Sequence, residues 1–139
     1  MNIRLAHDQD FYALLELDTL ALTNLHRSEK IKQWVEEKTC YLIECNKIIS
    51  AYGVLNYSFF EFGYIPMLMV RENFRHKHHG ISLITYFQEI CATPKLFTST
   101  NQSNIPMQQL LIKAGFNNSG YIENLDEDDP ELIFIYQKC

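Results

Sequence analysis

The chain has 139 residues, of which 47% are apolar and 21% charged, and carries a formal net charge of −5. That length builds one core, read as a single domain over residues 1–139, and the composition is that of a folded protein and not a disordered one. The acidic balance lacks the field that gathers polyanions, so no nucleic-acid partner is expected. No apolar run approaches the roughly 20 residues that cross a bilayer, and "MNIRLAHDQD" has no long apolar signal core, so no membrane partner and a cytoplasmic location are expected.

In chain order, "NIRLA" alternates as a short strand, and Asp8 or Asp10 can cap the helix marked by Phe11, Leu14, Leu15 and Leu17. A second helix following Thr23 carries Ile31, Trp34 and Val35 on its apolar side. The period then changes. "CYLIE", "KIISAYGVLNY" and "FGYIPMLMV" are rich in β-branched and aromatic residues, with "CNK" as a tight connection between the first two. The third of these strands, nearly all apolar, is expected to be buried on both faces.

The helical period returns with Ile81, Leu83, Ile84, Phe87, Ile90 and Cys91 before Pro94 ends the segment. "KLFTST" is the next strand, which makes a parallel crossover from "FGYIPMLMV" through that helix. "IPMQQLLIKAGF" is a helix closed by Gly115 as a left-handed glycine, and "NSGYIENL" and "ELIFIYQ" are strands around the acidic turn "DEDDP". The fold class is therefore α/β (α+β), one domain with a mixed sheet. Cys40, Cys45, Cys91 and Cys139 include no CxxC pair and are read as reduced thiols.

The segment at residues 75–82, "RHKHHGIS", lies between the third of those strands and the crossover helix. It could be a metal cluster, a basic patch or a phosphate cradle. A helix N-terminus offers unpaired N–H groups and partial positive charge, Arg75, Lys77, His76, His78 and His79 add donors, and Gly80 permits close approach to the backbone. A zinc site would need three ring nitrogens to converge from a four-residue turn, so no metal is expected. The physics favours a diphosphate.

With those residues in place, "MLMVRENFRHKHHGISLITYF" resembles the acyl-coenzyme A loop of the GNAT superfamily of N-acetyltransferases, whose pattern is Arg or Gln, two residues, Gly, one residue, then Gly or Ala. Arg75 and Gly80 match the ends of that pattern, and His78 stands where the family has its middle glycine. A side chain there either points outward or narrows the turn. "TSTNQSNIPMQQLLIKAGF" resembles a second family signature, with Asn104 and Gly115-Phe116 in register. The resemblance implies a mixed, mostly antiparallel sheet of about six to seven strands flanked by about four helices, with a splayed central parallel pair.

It further implies transfer of acetyl from acetyl-CoA, without a metal, to a primary amine of a small molecule or protein by direct attack. Met69, Val70, Arg75, His76, Lys77, His78, His79, Gly80, Ile81 and Asn104 would contact the coenzyme, with an oxyanion donor among the N–H groups of residues 68–70. The family's usual acid and base positions read Leu111 and Pro66. Candidate proton carriers are then Glu61 and Tyr64, with Tyr57 nearby, and Glu61 could be raised in pKa by apolar neighbours. The alternative reading places Glu61 in water at a hairpin end. A second functional reading is an acyl-CoA-binding sensor or interaction domain that kept the fold and lost the acid and base. "ENLDEDDPE" could draw in a cationic acceptor or be a solvated turn, and aromatics at residues 57–64 suit contact between two copies.

Overall fold

Two tight turns organise the first half of the sheet. Asn46 and Lys47 have φ of 52° and 67°, and Phe60 and Glu61 have φ of 52° and 69°. Paired left-handed residues make a two-residue turn whose twist matches that of the strands it joins. Asparagine tolerates this conformation well, whereas Phe60 and Glu61 give no such signal in the sequence.

The computed structural model describes residues 1–138, and Cys139 lies outside the described residues. The strands are β1 (Asn2–Leu5), β2 (Cys40–Cys45), β3 (Ile48–Phe59), β4 (Phe62–Val70), β5 (Lys95–Asn101), β6 (Asn117–Ile122) and β7 (Glu131–Gln137). The α-helices are α1 (Phe11–Leu17), α2 (Leu25–Glu36), α3 (His79–Ile90) and α4 (Ile105–Lys113). The seven strands form one sheet in the order β1-β2-β3-β4-β5-β7-β6. β1 with β2, β2 with β3, β5 with β7 and β6 with β7 are antiparallel, and β4 with β5 is parallel. This is the mixed, mostly antiparallel α/β arrangement expected, with the parallel crossover running from β4 through α3 to β5. The parallel ladder pairs only Gly63, Tyr64 and Ile65 with Leu96, Phe97 and Thr98, and Pro66, which has no N–H to give, follows directly. Among the described residues no helix is long and apolar enough to cross a membrane.

The chain divides into two compact units, one of Met1–Leu55 with Met67–Leu83 and the other of Asn56–Pro66 with the chain from Ile84 on. In the first, Leu14, Leu17, Ile31, Trp34 and Val35 from α1 and α2 gather with Cys40, Leu42, Tyr52 and Val54 into one core, against which Met67 and Met69 are partly buried. Burial pushes the Cys40 thiol up to about 12, so it is an inert core thiol. Cys40, Cys45 and Cys91 are free. In the second unit Ile84, Phe87, Leu96 and Leu111 are fully buried, and Gln88 Nε2 donates to the Ala114 carbonyl at 2.8 Å, tying α3 to the end of α4. α4 ends in a Schellman turn: the N–H of Gly115 (φ +94°) reaches Ile112 O and that of Phe116 reaches Leu111 O, each at 3.0 Å.

Three details depart from the sequence reading. β4 is not enclosed on both faces, since only Gly63 and Ile65 are buried; apolar side chains report what a strand tolerates, and here Leu68 and Val70 are covered incompletely. The strand buried throughout its middle is β3. The second helix follows Thr23 as read, capped by Asn24, whose side chain accepts the Arg27 N–H at 3.1 Å. Asp10 does not cap α1, because its carboxylate takes both guanidinium arms of Arg4, at 2.9 and 3.0 Å, and the His7 N–H at 2.7 Å. Those bonds, Arg4 first, hold the Asp10 carboxyl below the usual range. Ile90, at the end of the apolar stripe of α3, is exposed.

Candidate functional site: a coenzyme loop

Arg71 fixes the chain as it leaves β4. Its N–H donates to Ser50 O at 2.7 Å, its Nε to Ile49 O at 2.9 Å and its Nη1 to Glu16 Oε1 at 3.0 Å. One 3-10 turn follows over Glu72–Phe74, closed by Phe74 N–H to Arg71 O at 2.8 Å. Nothing in "RENF" signals this anchor, because its partners on β3 are backbone carbonyls.

Beyond the turn the loop displays its cations. Arg75 is exposed, its Nε folded back on Val70 O at 3.1 Å, and Lys77 Nζ sits 5.7 Å from the Phe74 ring centroid, in cation–π range. His76 and His78 are exposed and left-handed, with φ of 65° and 67°. His78 therefore adopts the backbone conformation that a glycine takes most easily, with its imidazole toward solvent, which favours the outward reading over the narrowing one.

The first i→i−4 bond of α3 runs from the Ser82 N–H to His78 O at 3.1 Å, and Ser82 Oγ donates to the same carbonyl at 2.8 Å. The N–H groups of His79, Gly80 and Ile81 precede that bond, so the partial positive charge of the helix end gathers on them. Arg75, Lys77 and these amides form a donor set that suits a diphosphate. Among the described residues no group of three or more His, Cys, Asp or Glu side chains is gathered as a metal would require.

His79 departs from its neighbours. It is 5% exposed, its Nδ1 lies 2.7 Å from Ser50 Oγ, and the Phe74 ring meets it edge-on at 5.3 Å. Burial first, then the charges of Lys77 and the amino terminus, lower its pKa, so it is neutral at pH 7. Unlike those of His76 and His78, the imidazole of His79 is turned inward on Ser50.

In the second unit, Asn104 caps α4, its Oδ1 accepting the Met107 N–H at 3.2 Å, and is exposed. Leu111 is fully buried core. The Tyr64 hydroxyl lies 3.1 Å from Ser99 Oγ and its ring stacks on Phe59 at 5.2 Å, while the Tyr57 hydroxyl accepts the Ala92 N–H at 3.0 Å. Glu61 occupies the exposed hairpin turn, as the alternative reading places it. In the acidic stretch Asp129 accepts from Ser103 N and Oγ at 3.0 and 2.6 Å and Asp126 accepts from Asn101 Nδ2 at 2.8 Å, so two of its carboxylates tie the turn to the end of β5 and the connection into α4.

No family model and no curated protein matches the sequence. Solved structures do match. A GNAT-family acetyltransferase from Bacillus cereus is 32% identical, with a TM-score of 0.92, over 99% of this chain and 97% of that one. The chain belongs to the GNAT family of acetyltransferases. Two further GNAT-fold likenesses support the architecture alone. A ribosomal-protein-alanine N-acetyltransferase from Brucella melitensis is 19% identical with a TM-score of 0.80, covering 99% of each chain. A Bacillus anthracis protein solved in complex with acetyl coenzyme A is 19% identical with a TM-score of 0.67, covering 72% of this chain and 62% of that one.

Proposed function

We propose that this GNAT protein is an N-acetyltransferase that moves an acetyl group from acetyl-CoA to a primary amine of a small molecule or protein in the cytoplasm. The observation that carries the reading is the 32% identity to a GNAT acetyltransferase over nearly the whole of both chains. The donor set at the start of α3 supports it, because Arg75, Lys77 and the free amides of His79, Gly80 and Ile81 offer what a diphosphate needs. Met69 and Val70 would line the coenzyme arm with their backbone, and His76 and His78 would face its phosphates.

Bound acetyl-CoA supplies the activated thioester carbonyl. An N–H among residues 68–70 would hold the carbonyl oxygen as it gains negative charge, which is the largest contribution such a site makes. The neutral amine attacks, the C–N bond forms, the C–S bond breaks, and the proton lost by nitrogen is returned to the departing thiolate. The chain has no tyrosine at 111 and no glutamate at 66 to carry that proton. The candidates to carry it are Tyr64, whose hydroxyl lies 3.1 Å from Ser99 Oγ, and Glu61 at the exposed hairpin turn. Positioning of the two substrates then supplies most of the acceleration. The exposed Glu123, Glu127 and Asp128 favour a cationic acceptor, and the aromatics near Tyr57 suit a homodimer contact.

Leu111, which is fully buried, and Pro66, which has no group to move a proton, favour a second reading, an acyl-CoA-binding sensor with little catalysis. Release of free coenzyme thiol measured over a broad panel of amines separates the two. Amine-dependent release is expected; coenzyme binding without release on any amine favours the sensor.

A further inference from the structure

Ser50 is fully buried near the start of β3, and the only partner of its hydroxyl among the described residues is His79 Nδ1, 2.7 Å away. Were Nδ1 protonated, the serine proton would have no acceptor in a place that excludes water, at the cost of a buried unmade hydrogen bond. The hydroxyl therefore donates to Nδ1, which leaves the proton of the neutral imidazole on Nε2. This pair joins the start of α3 to the strand that also receives Arg71, through Ser50 O and Ile49 O. The first turn of α3 and the exit from β4 are thus fixed to the same stretch of β3.

We propose that His79, held by Ser50, is a positioning residue for the coenzyme loop: as the neutral Nε2–H tautomer it pins the first turn of α3 so that the amides of His79, Gly80 and Ile81 stay aimed at the diphosphate. The proposal rests on the coenzyme-loop reading above. The groups around the imidazole are Ser50, the Phe74 ring, Lys77 and the amino terminus, with Arg71 bound to the adjoining backbone. None is acidic, so a second proton has no counter-charge, and acid breaks the Ser50 bond. Coenzyme affinity is expected to fall in acid as His79 charges and its bond to Ser50 is lost.

The test is calorimetric titration with coenzyme A between pH 5 and 8 of the intact protein, of His79→Asn, His79→Leu and Ser50→Ala, with nitrogen NMR of the imidazole. NMR should show Nε2 protonated and Nδ1 accepting in the free protein. His79→Leu and Ser50→Ala should each weaken binding about tenfold at pH 7 by leaving one buried partner unsatisfied. Asparagine, whose Oδ1 can accept from Ser50, should restore affinity to within about threefold and remove the part of the acid limb that exceeds the coenzyme's own titration. Binding unchanged in His79→Leu, or an acid limb unchanged in His79→Asn, would overturn the positioning role while leaving the coenzyme reading intact. Absence of binding by the intact protein would instead remove the coenzyme reading itself, and the positioning role with it.

Discussion

Replacing Gly80 by valine is expected to weaken coenzyme binding by at least about a hundredfold, or roughly 2.7 kcal/mol. Gly80 lies buried in the first turn of α3, among the three amides that precede the helix ladder. A branched side chain would stand between those amides and a phosphate oxygen and lengthen every hydrogen bond they could make. Alanine, which the family pattern allows at this place, should keep affinity within a few-fold and so separates a steric block from damage to the helix. His78→Gly should act the other way. It relieves a left-handed histidine at φ +67°, gaining up to about 1 kcal/mol in stability, and keeps or tightens binding. Equilibrium dialysis against labelled coenzyme measures all three, and unchanged binding in Gly80→Val would remove the diphosphate from this loop.

The largest effect on stability is expected at Asp18. Its side chain is fully buried at the end of α1 and accepts from Leu20 N–H at 3.0 Å, Arg27 Nη1 at 2.8 Å and the Tyr52 hydroxyl at 2.5 Å. Burial, followed by the bond to Asp18, drives the Tyr52 hydroxyl well above its usual pKa, so it remains a donor at any working pH. Asp18→Ala strands the Arg27 charge and the tyrosine donor together, a loss of about 3–5 kcal/mol. For a domain of this size that lowers Tm by roughly 10 °C or more. Tyr52→Phe removes one donor while Arg27 still neutralises the carboxylate, so its loss should be nearer 1–2 kcal/mol. Chemical denaturation gives both values, and a loss below about 1 kcal/mol in Asp18→Ala would show that the triad contributes little net stability.

These residues mark how far the sequence is readable. The strands and helices follow from period and propensity, and Gly115 announces the end of α4 because only a left-handed C′ position asks for glycine there. The acyl-coenzyme A pattern is legible for a similar reason, since it is local and contiguous. What the sequence does not convey is which of several like residues a distant strand will claim. Among three histidines, two are exposed and His79 is taken inward by Ser50, 29 positions earlier in the chain. Asp10 looks like a helix cap and is captured by Arg4, while Asp18 carries no pattern at all. The β3–β4 turn places Phe60 and Glu61 where asparagine and glycine are usual, so the exposed position of Glu61 becomes clear only in the fold. His79 and Asp18 depend on partners 29 and 34 positions away, Ser50 and Tyr52, which periodicity cannot encode.

The most direct test of the central claim is calorimetric titration of the untagged protein with acetyl-CoA. The account predicts binding of one coenzyme per chain at micromolar strength, which would establish the loop between β4 and α3 as a working cradle. No heat and no competition by coenzyme A across that range would contradict it, and would leave a GNAT fold whose donor set at α3 serves something other than acetyl transfer.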